Sequence, residues 1–138
     1  MVTSAQALKK YGKPESLHNM IDWDVPKNLE IGKIPKSIYC NKDMVVPLTK
    51  AFTTLITTGF VKELRTYDGC FNIRKKRGLS SISLHSWGIA IDFNAAWNGL
   101  NMIPTFTPGF VKCFTDAGFD WGGTWKRKDG MHFQLAKI

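Results

Sequence analysis

Two imidazoles and a carboxylate sit where alternating strands would aim them at one point. In "SLHSWGIAID", Ser83 to Asp92, the residues Ile89, Ile91 and then Phe93 alternate toward one side, while Gly88, Ala90 and Asp92 take the other. In "MHFQL", Met131, Phe133 and Leu135 go one way, and His132 and Gln134 go the other. If the apolar faces share one core beneath a helix, Asp92 and His132 both point out of the open side of the sheet, and Gly88 and Ala90 leave room above it. His85 reaches the same place if Ser86 and Trp87 bend the chain back over the sheet.

Such a trio is a ligand set for Zn²⁺, with donors at about 2.0 to 2.2 Å and a fourth position open to water, as in catalytic rather than structural zinc. Hydrolysis by a metal-activated water also needs a base, and Asp129 in "KDGMHF" precedes His132 at a spacing that allows its carboxylate to take the proton. Negative charge on the attacked oxygen calls for a cation, for which Arg74 at the end of "CFNIR" is the candidate. Each residue also has a plainer alternative. His85, Asp92 and His132 could be satisfied polar groups and Asp129 a turn residue, while Arg74 begins the charge run "RKKRG", which suits a solvated face. "DWGGTW" suits a glycine turn with packed tryptophans, or, for Trp125, an aromatic wall to a cleft. His18 is expected to play no part.

The elements that must position these groups are partly written in local signals. Thr3 or Ser4 caps a helix from Ala5 to Tyr11 that Gly12 ends, and a longer helix starts near Asn41 or Asp43 and runs to about Thr58, with Gly59 as its stop. Its Val45, Leu48, Phe52 and Leu55 form the stripe that should lie on the sheet. Thr107 before Pro108 starts another helix, closed by Gly118. Between Glu15 and Tyr39, prolines leave loops with one or two short extended stretches. "FVKELRTYD" and "CFNIRKK" suggest two extended runs joined by a hairpin turn at Asp68-Gly69.

Composition narrows the class. The chain has 138 residues, 43% of them hydrophobic, enough for one domain with a real core, and no apolar run long enough to span a bilayer. We therefore expect a single domain over 1–138, with no separate wall-binding domain, no membrane insertion and a monomeric state. Three scattered cysteines, Cys40, Cys70 and Cys113, do not make a Cys-rich zinc site. Nineteen Lys and Arg against eleven Asp and Glu give a charge of +8, attractive to an anionic polymer. "RKKRG" and "WKRKDG" lack an interleaved aromatic platform, so nucleic acid is not the expected partner. The opening "MVTSAQALKKYGKPES" has no secretory signal pattern, which leads us to expect synthesis into the cytoplasm.

Taken together, S-x-H-x-x-G-x-A-x-D at Ser83 to Asp92 and "GFDWGGTWKRKDGMHFQL" resemble the VanY-like zinc peptidases, over roughly Tyr67 to Leu135. This group includes D-Ala-D-Ala carboxypeptidases and the L-alanyl-D-glutamate peptidase endolysins of bacteriophages. The resemblance implies an α+β fold with a small antiparallel sheet carrying the site on its open face and helices on the other, as in lysostaphin-type enzymes and the Hedgehog domain. It implies zinc on His85, Asp92 and His132, Asp129 as catalytic carboxylate, and Ser83 orienting the site or holding substrate. The expected partner is bacterial peptidoglycan, and the expected activity is cleavage of its stem peptides by a phage or prophage endolysin released from the host cytoplasm to the wall. A D-Ala-D-Ala carboxypeptidase and a non-catalytic wall-binding or virion module are the alternatives. Two departures stand out. The G-Y-R-S element of many relatives has no counterpart here, leaving Arg65 and Arg74 as the nearest arginines with Arg74 favoured, and Gln134 stands where relatives often carry Glu.

Overall fold

A computed structural model describes residues 1–138. Its centre is two short strands with opposite demands on their faces. β4 (Ala90–Phe93) and β6 (His132–Leu135) pair antiparallel inside a four-stranded sheet of order β3, β4, β6, β5, edged by β3 (Tyr67–Gly69) and β5 (Phe119–Trp121). Their register sets Ala90 against Gln134, Ile91 against Phe133 and Asp92 against His132. Directly opposed residues project from the same face, so this pairing alone brings the carboxylate beside the imidazole.

The other face of the sheet is packed with aromatic rings. Phe133 lies 4.5 Å from Phe114 of α3 (Pro108–Thr115), and Phe93 lies 6.3 Å from Phe52 of α2 (Val45–Thr58), centroid to centroid. One core of 30 buried residues runs from Val2 to Leu135. The fold is therefore α+β, as the resemblance implies, with α2 and α3 on one side of the sheet, while α1 packs against the Leu84–Trp87 segment. No helix is long and apolar enough to cross a membrane.

Helix boundaries follow their local chemistry. α1 (Ser4–Tyr11) opens with a capping box between Thr3 and Gln6 and ends at Gly12. The Thr107 hydroxyl accepts from the Phe110 amide to start α3, and Gly59 ends α2 in the left-handed conformation. Within the stretch expected to be mostly loop, β1 (Met20–Asp24) and β2 (Ser37–Asn41) form a separate antiparallel pair.

Two expectations are overturned. No hairpin turns at Asp68-Gly69; these residues lie in β3, which pairs with β4 through a register shift between Tyr67 and Gly69. The Asp68 carboxylate accepts from the Thr66 hydroxyl and the Ala95 amide, so it serves the neighbouring loop rather than a two-residue turn. The chain instead reverses further on, where Lys75 bridges to Ile82 around Gly78. Gly88, expected to open space over the site, instead ends a tight turn at φ 66° and is covered by β1 and β2. A Cβ there would fall 2.6 Å from the Met20 side chain and 2.7 Å from the Asn41 amide nitrogen. The Asn41 amide donates to the Gly88 carbonyl at 3.0 Å, so the glycine admits a neighbouring backbone, not a substrate.

Gly88→Ala should therefore cost about 2 to 4 kcal/mol, from left-handed strain plus overpacking against main chain. A lower urea midpoint at unchanged m-value would record it.

Candidate metal centre

His85 arrives at the site through a single turn of helix, Leu84–Trp87. Ser83 caps it, its hydroxyl accepting from the His85 amide at 3.2 Å, and Gly88 then directs the chain into β4. Ser86 ties the turn to the Arg74 main chain, donating to its carbonyl at 3.1 Å and accepting from its amide at 3.1 Å. The Trp87 indole donates to the Gly12 carbonyl at 2.8 Å, fastening the turn to the end of α1.

Each imidazole is oriented by a partner on its far nitrogen. His85 Nδ1 lies 2.8 Å from the Cys70 carbonyl oxygen, which can only accept, so Nδ1 carries the proton and the neutral ring turns the lone pair of Nε2 to the site. His132 Nε2 lies 2.9 Å from Gln134 Oε1, and by the same logic its Nδ1 presents the lone pair. Between them stands Asp92, with Oδ2 3.2 Å from His85 Nε2 and Oδ1 3.4 Å from His132 Nδ1. His85 Nε2 and Asp92 Oδ1 are buried without a hydrogen-bond partner. Two lone pairs aimed at a buried carboxylate lack one thing, a cation in the middle. All three donors lie within 4.8 Å of one another, and donors about 2.1 Å from a tetrahedral ion are about 3.4 Å apart, close to the two spacings seen. The residues present thus fit a divalent metal, and hydrogen bonding on the far nitrogens is the usual support for metal-bound histidine.

Asp129 stands beside this trio, Oδ2 3.9 Å from His132 Nδ1. It is placed by Gly122, whose carbonyl accepts from the Asp129 amide at 2.9 Å, and whose missing Cβ would fall 2.4 Å from the Asp129 carbonyl oxygen. Burial raises the Asp129 pKa, with His132 pulling it down and Asp92 pushing it up. Burial alone would raise Asp92 too, but the two imidazoles outweigh it and hold that carboxyl well below the usual range. For His132, burial pushes the pKa down while contact with Asp92 and the charge of Asp129 prevail and raise it.

Around the metal site runs a groove with two arms. One arm, a cavity of about 310 Å³, is bordered by Trp125, Leu100, Lys76, Arg127 and Asp129; the other, about 640 Å³, passes Asp68, Asn72 and Ala95. His85, Asp92, Arg74, Arg77 and Met131 border both, so the donor cluster lies at their junction. Arg74 therefore lines the groove, whereas the Arg65 guanidinium sits 4.7 Å over the Trp97 ring and borders neither arm. Trp125 is 5.5 Å from the His132 ring, and Ser83 also borders the first arm. His18 is exposed and apart from the cluster. Three contributors escaped the sequence reading. The Cys70 carbonyl carries no side-chain signal, Gly122 shows only as half of a glycine pair, and Gln134 was visible on the His132 face of β6 but without a role.

An α+β fold with two imidazoles and a carboxylate converging, and a second carboxylate at hand, defines the site of a metal-dependent hydrolase. Residues 77–135 match the family model described as D-alanyl-D-alanine carboxypeptidase, and this segment contains His85, Asp92, Asp129 and His132. The match supports the VanY-like resemblance of the two motifs and indicates a metallopeptidase. No curated protein and no solved structure gives a significant match.

Metal uptake should be coupled to protons with a defined sign. Asp92 and Asp129 raise the pKa of His132, and only the form with an unprotonated Nδ1 can ligate an ion, so protons and metal compete at this ring. A Zn²⁺ titration in weak buffer should release protons near pH 7, and apparent affinity should fall as pH drops, by up to about tenfold per unit. In the metal-free protein the His132 contribution to stability is full below the unfolded pKa and fades as pH rises through the raised one. The Asp92 contribution runs the other way, full above its unfolded pKa of about 3.9 and fading as pH falls toward its depressed value. Gln134→Leu, which removes the acceptor from His132 Nε2, should weaken Zn²⁺ binding about 10- to 100-fold in a chelator competition.

Proposed function

We propose that the protein is a zinc-dependent endopeptidase that cuts the peptide stems of bacterial peptidoglycan, of the L-alanyl-D-glutamate type found in phage or prophage endolysins. The observation that carries the chemistry is the convergence of His85, Asp92 and His132 with Asp129 beside them. The observation that favours an endopeptidase is that two cavities share His85 and Asp92, which offers substrate more room beside the donor cluster than one terminal residue needs. The endolysin origin, with release from the host cytoplasm to the wall, rests on the motif resemblance.

His85, Asp92 and His132 would hold the ion, which when bound lowers the pKa of a water and polarises a scissile carbonyl. Asp129 acts as base, its carboxylate receiving the proton of the attacking water and delivering it to the leaving amine. Arg74, bordering both arms, supplies positive charge where the carbonyl oxygen becomes negative. Ser83 positions His85 through its cap, and Trp125 forms one wall of the cleft.

A second reading, D,D-carboxypeptidase, is favoured by the description of the matching family. Mass spectrometry of digested walls separates the two, because release of free D-Ala and cleavage after L-Ala give different fragments. We expect internal cleavage, lost on chelation and restored by Zn²⁺; no wall cleavage with any metal would reject both. Asp129→Ala should keep the metal while kcat falls about 100- to 10,000-fold, the usual contribution of a general base. Full activity in that variant would remove Asp129 from the role.

A further inference from the structure

The two arms of the groove differ in charge. Lys76 and Arg127 border only the arm beside Trp125, and Arg77 stands where the arms meet. The only titratable side chain that belongs to the other arm alone, apart from the buried Cys70 thiol, is the Asp68 carboxylate. None of the three cations has a carboxylate partner; the ion pairs of Lys and Arg in this protein are Lys10 with Asp43 and Lys112 with Asp116. The carboxylates that border the Trp125 arm are Asp92 and Asp129, both committed to the metal and the proton transfer. Positive charge is therefore left over beside the reacting bond.

The main chain that carries Lys76 and Arg77 is fixed, and of the three side chains Arg127 is the one held by a hydrogen bond. The chain reversal that carries Lys76 and Arg77 is closed by the Lys75–Ile82 bridge and by the Lys76 amide donating to the Ser81 carbonyl at 2.9 Å. Arg127 Nη2 donates to the Arg77 carbonyl from the opposite loop, which fixes one edge of the guanidinium and leaves its other donors free. Leu100 and Trp125, both half-buried, border the same arm and place apolar surface beside these charges. A planar anion is what such a fork fits best.

We propose that the Trp125 arm is a carboxylate-binding subsite, in which Lys76, Arg77 and Arg127 select a peptide carrying a free carboxylate on that side of the cleaved bond. This rests on the peptidase reading and adds the direction in which the substrate lies: its acidic part in the Trp125 arm, its less charged part along Asp68 and Asn72. A recessed cavity of about 310 Å³ suits one or two residues of such a peptide better than the backbone of a phosphate polymer.

Stem peptides offer two sources of this group, the α-carboxylate of a γ-linked glutamate and the terminal carboxylate. Three synthetic peptides test them: the parent, one amidated at the glutamate α-carboxylate and one amidated at the terminus. Amidation at one position should lower kcat/KM about 10- to 100-fold, and the acid-to-amide ratio should collapse toward one in Lys76→Gln/Arg127→Gln. Lys76→Gln alone, a side chain without a hydrogen bond in the fold, should reduce the ratio partway, and Lys76→Arg should restore it. Equal kcat/KM for all three peptides, or an undiminished ratio in the folded double variant, would overturn the subsite, as would inhibition by polyphosphate at concentrations far below those of the acid peptide. Calorimetric binding of the same peptides to the Asp129→Ala protein provides the readout without turnover. An acid-over-amide preference there that depends on Lys76 and Arg127, with no hydrolysis by the wild type, would uphold the subsite and fault the peptidase reading alone.

Discussion

A buried carboxylate facing two imidazole lone pairs is the constraint on which the structure turns. Asp92 cannot satisfy His85 and His132 by itself, because each ring has spent its proton on a partner behind it, Cys70 for one and Gln134 for the other. The arrangement is stable only with positive charge at its centre, a proton or a metal ion. Asp92 and Asp129 raise the basicity of His132, so proton and metal ion compete for the same centre.

Much of the chain outside the matched segment serves to keep His85 where this balance needs it. The turn that bears it is gripped from behind by β2, through the Asn41 amide on the Gly88 carbonyl and the Asn41 side chain on the Trp87 carbonyl at 3.1 Å. The end of α1 holds Trp87, and Ser4 near its start donates to the Ile82 carbonyl just before Ser83. A turn so short has little stability of its own, since nucleating helix is costly, so its shape is imposed by these tertiary bonds.

The convergence of Asp92 and His132 was legible because β4 and β6 both keep strict alternation with one face in the core, and because the register of an antiparallel pair does the rest; His85 needed a bend that alternation does not show. Helix ends were legible because capping is local chemistry: Thr3, Thr107 and Gly59 each act within a few residues of themselves. What failed was non-local. Asp68-Gly69 has the composition of a turn, but its partners are in β4 and at Ala95. Gly88 looked like empty space because the atoms that fill it, from Met20 and Asn41, come from a distant part of the chain. Period two revealed that Gln134 shares a face with His132, but not that its amide oxygen would reach the far ring nitrogen.

The supports of the two imidazoles differ in kind. His85 leans on a peptide carbonyl, which every amino acid at position 70 would supply, while His132 leans on a side chain that one codon can exchange. Evolutionary drift can therefore retune the electron-donating strength of one ligand through position 134 while the other stays anchored to the polymer itself. Adjustment of the ion's reactivity across descendants of this fold has an accessible dial on β6 and a fixed post in the main chain just past β3.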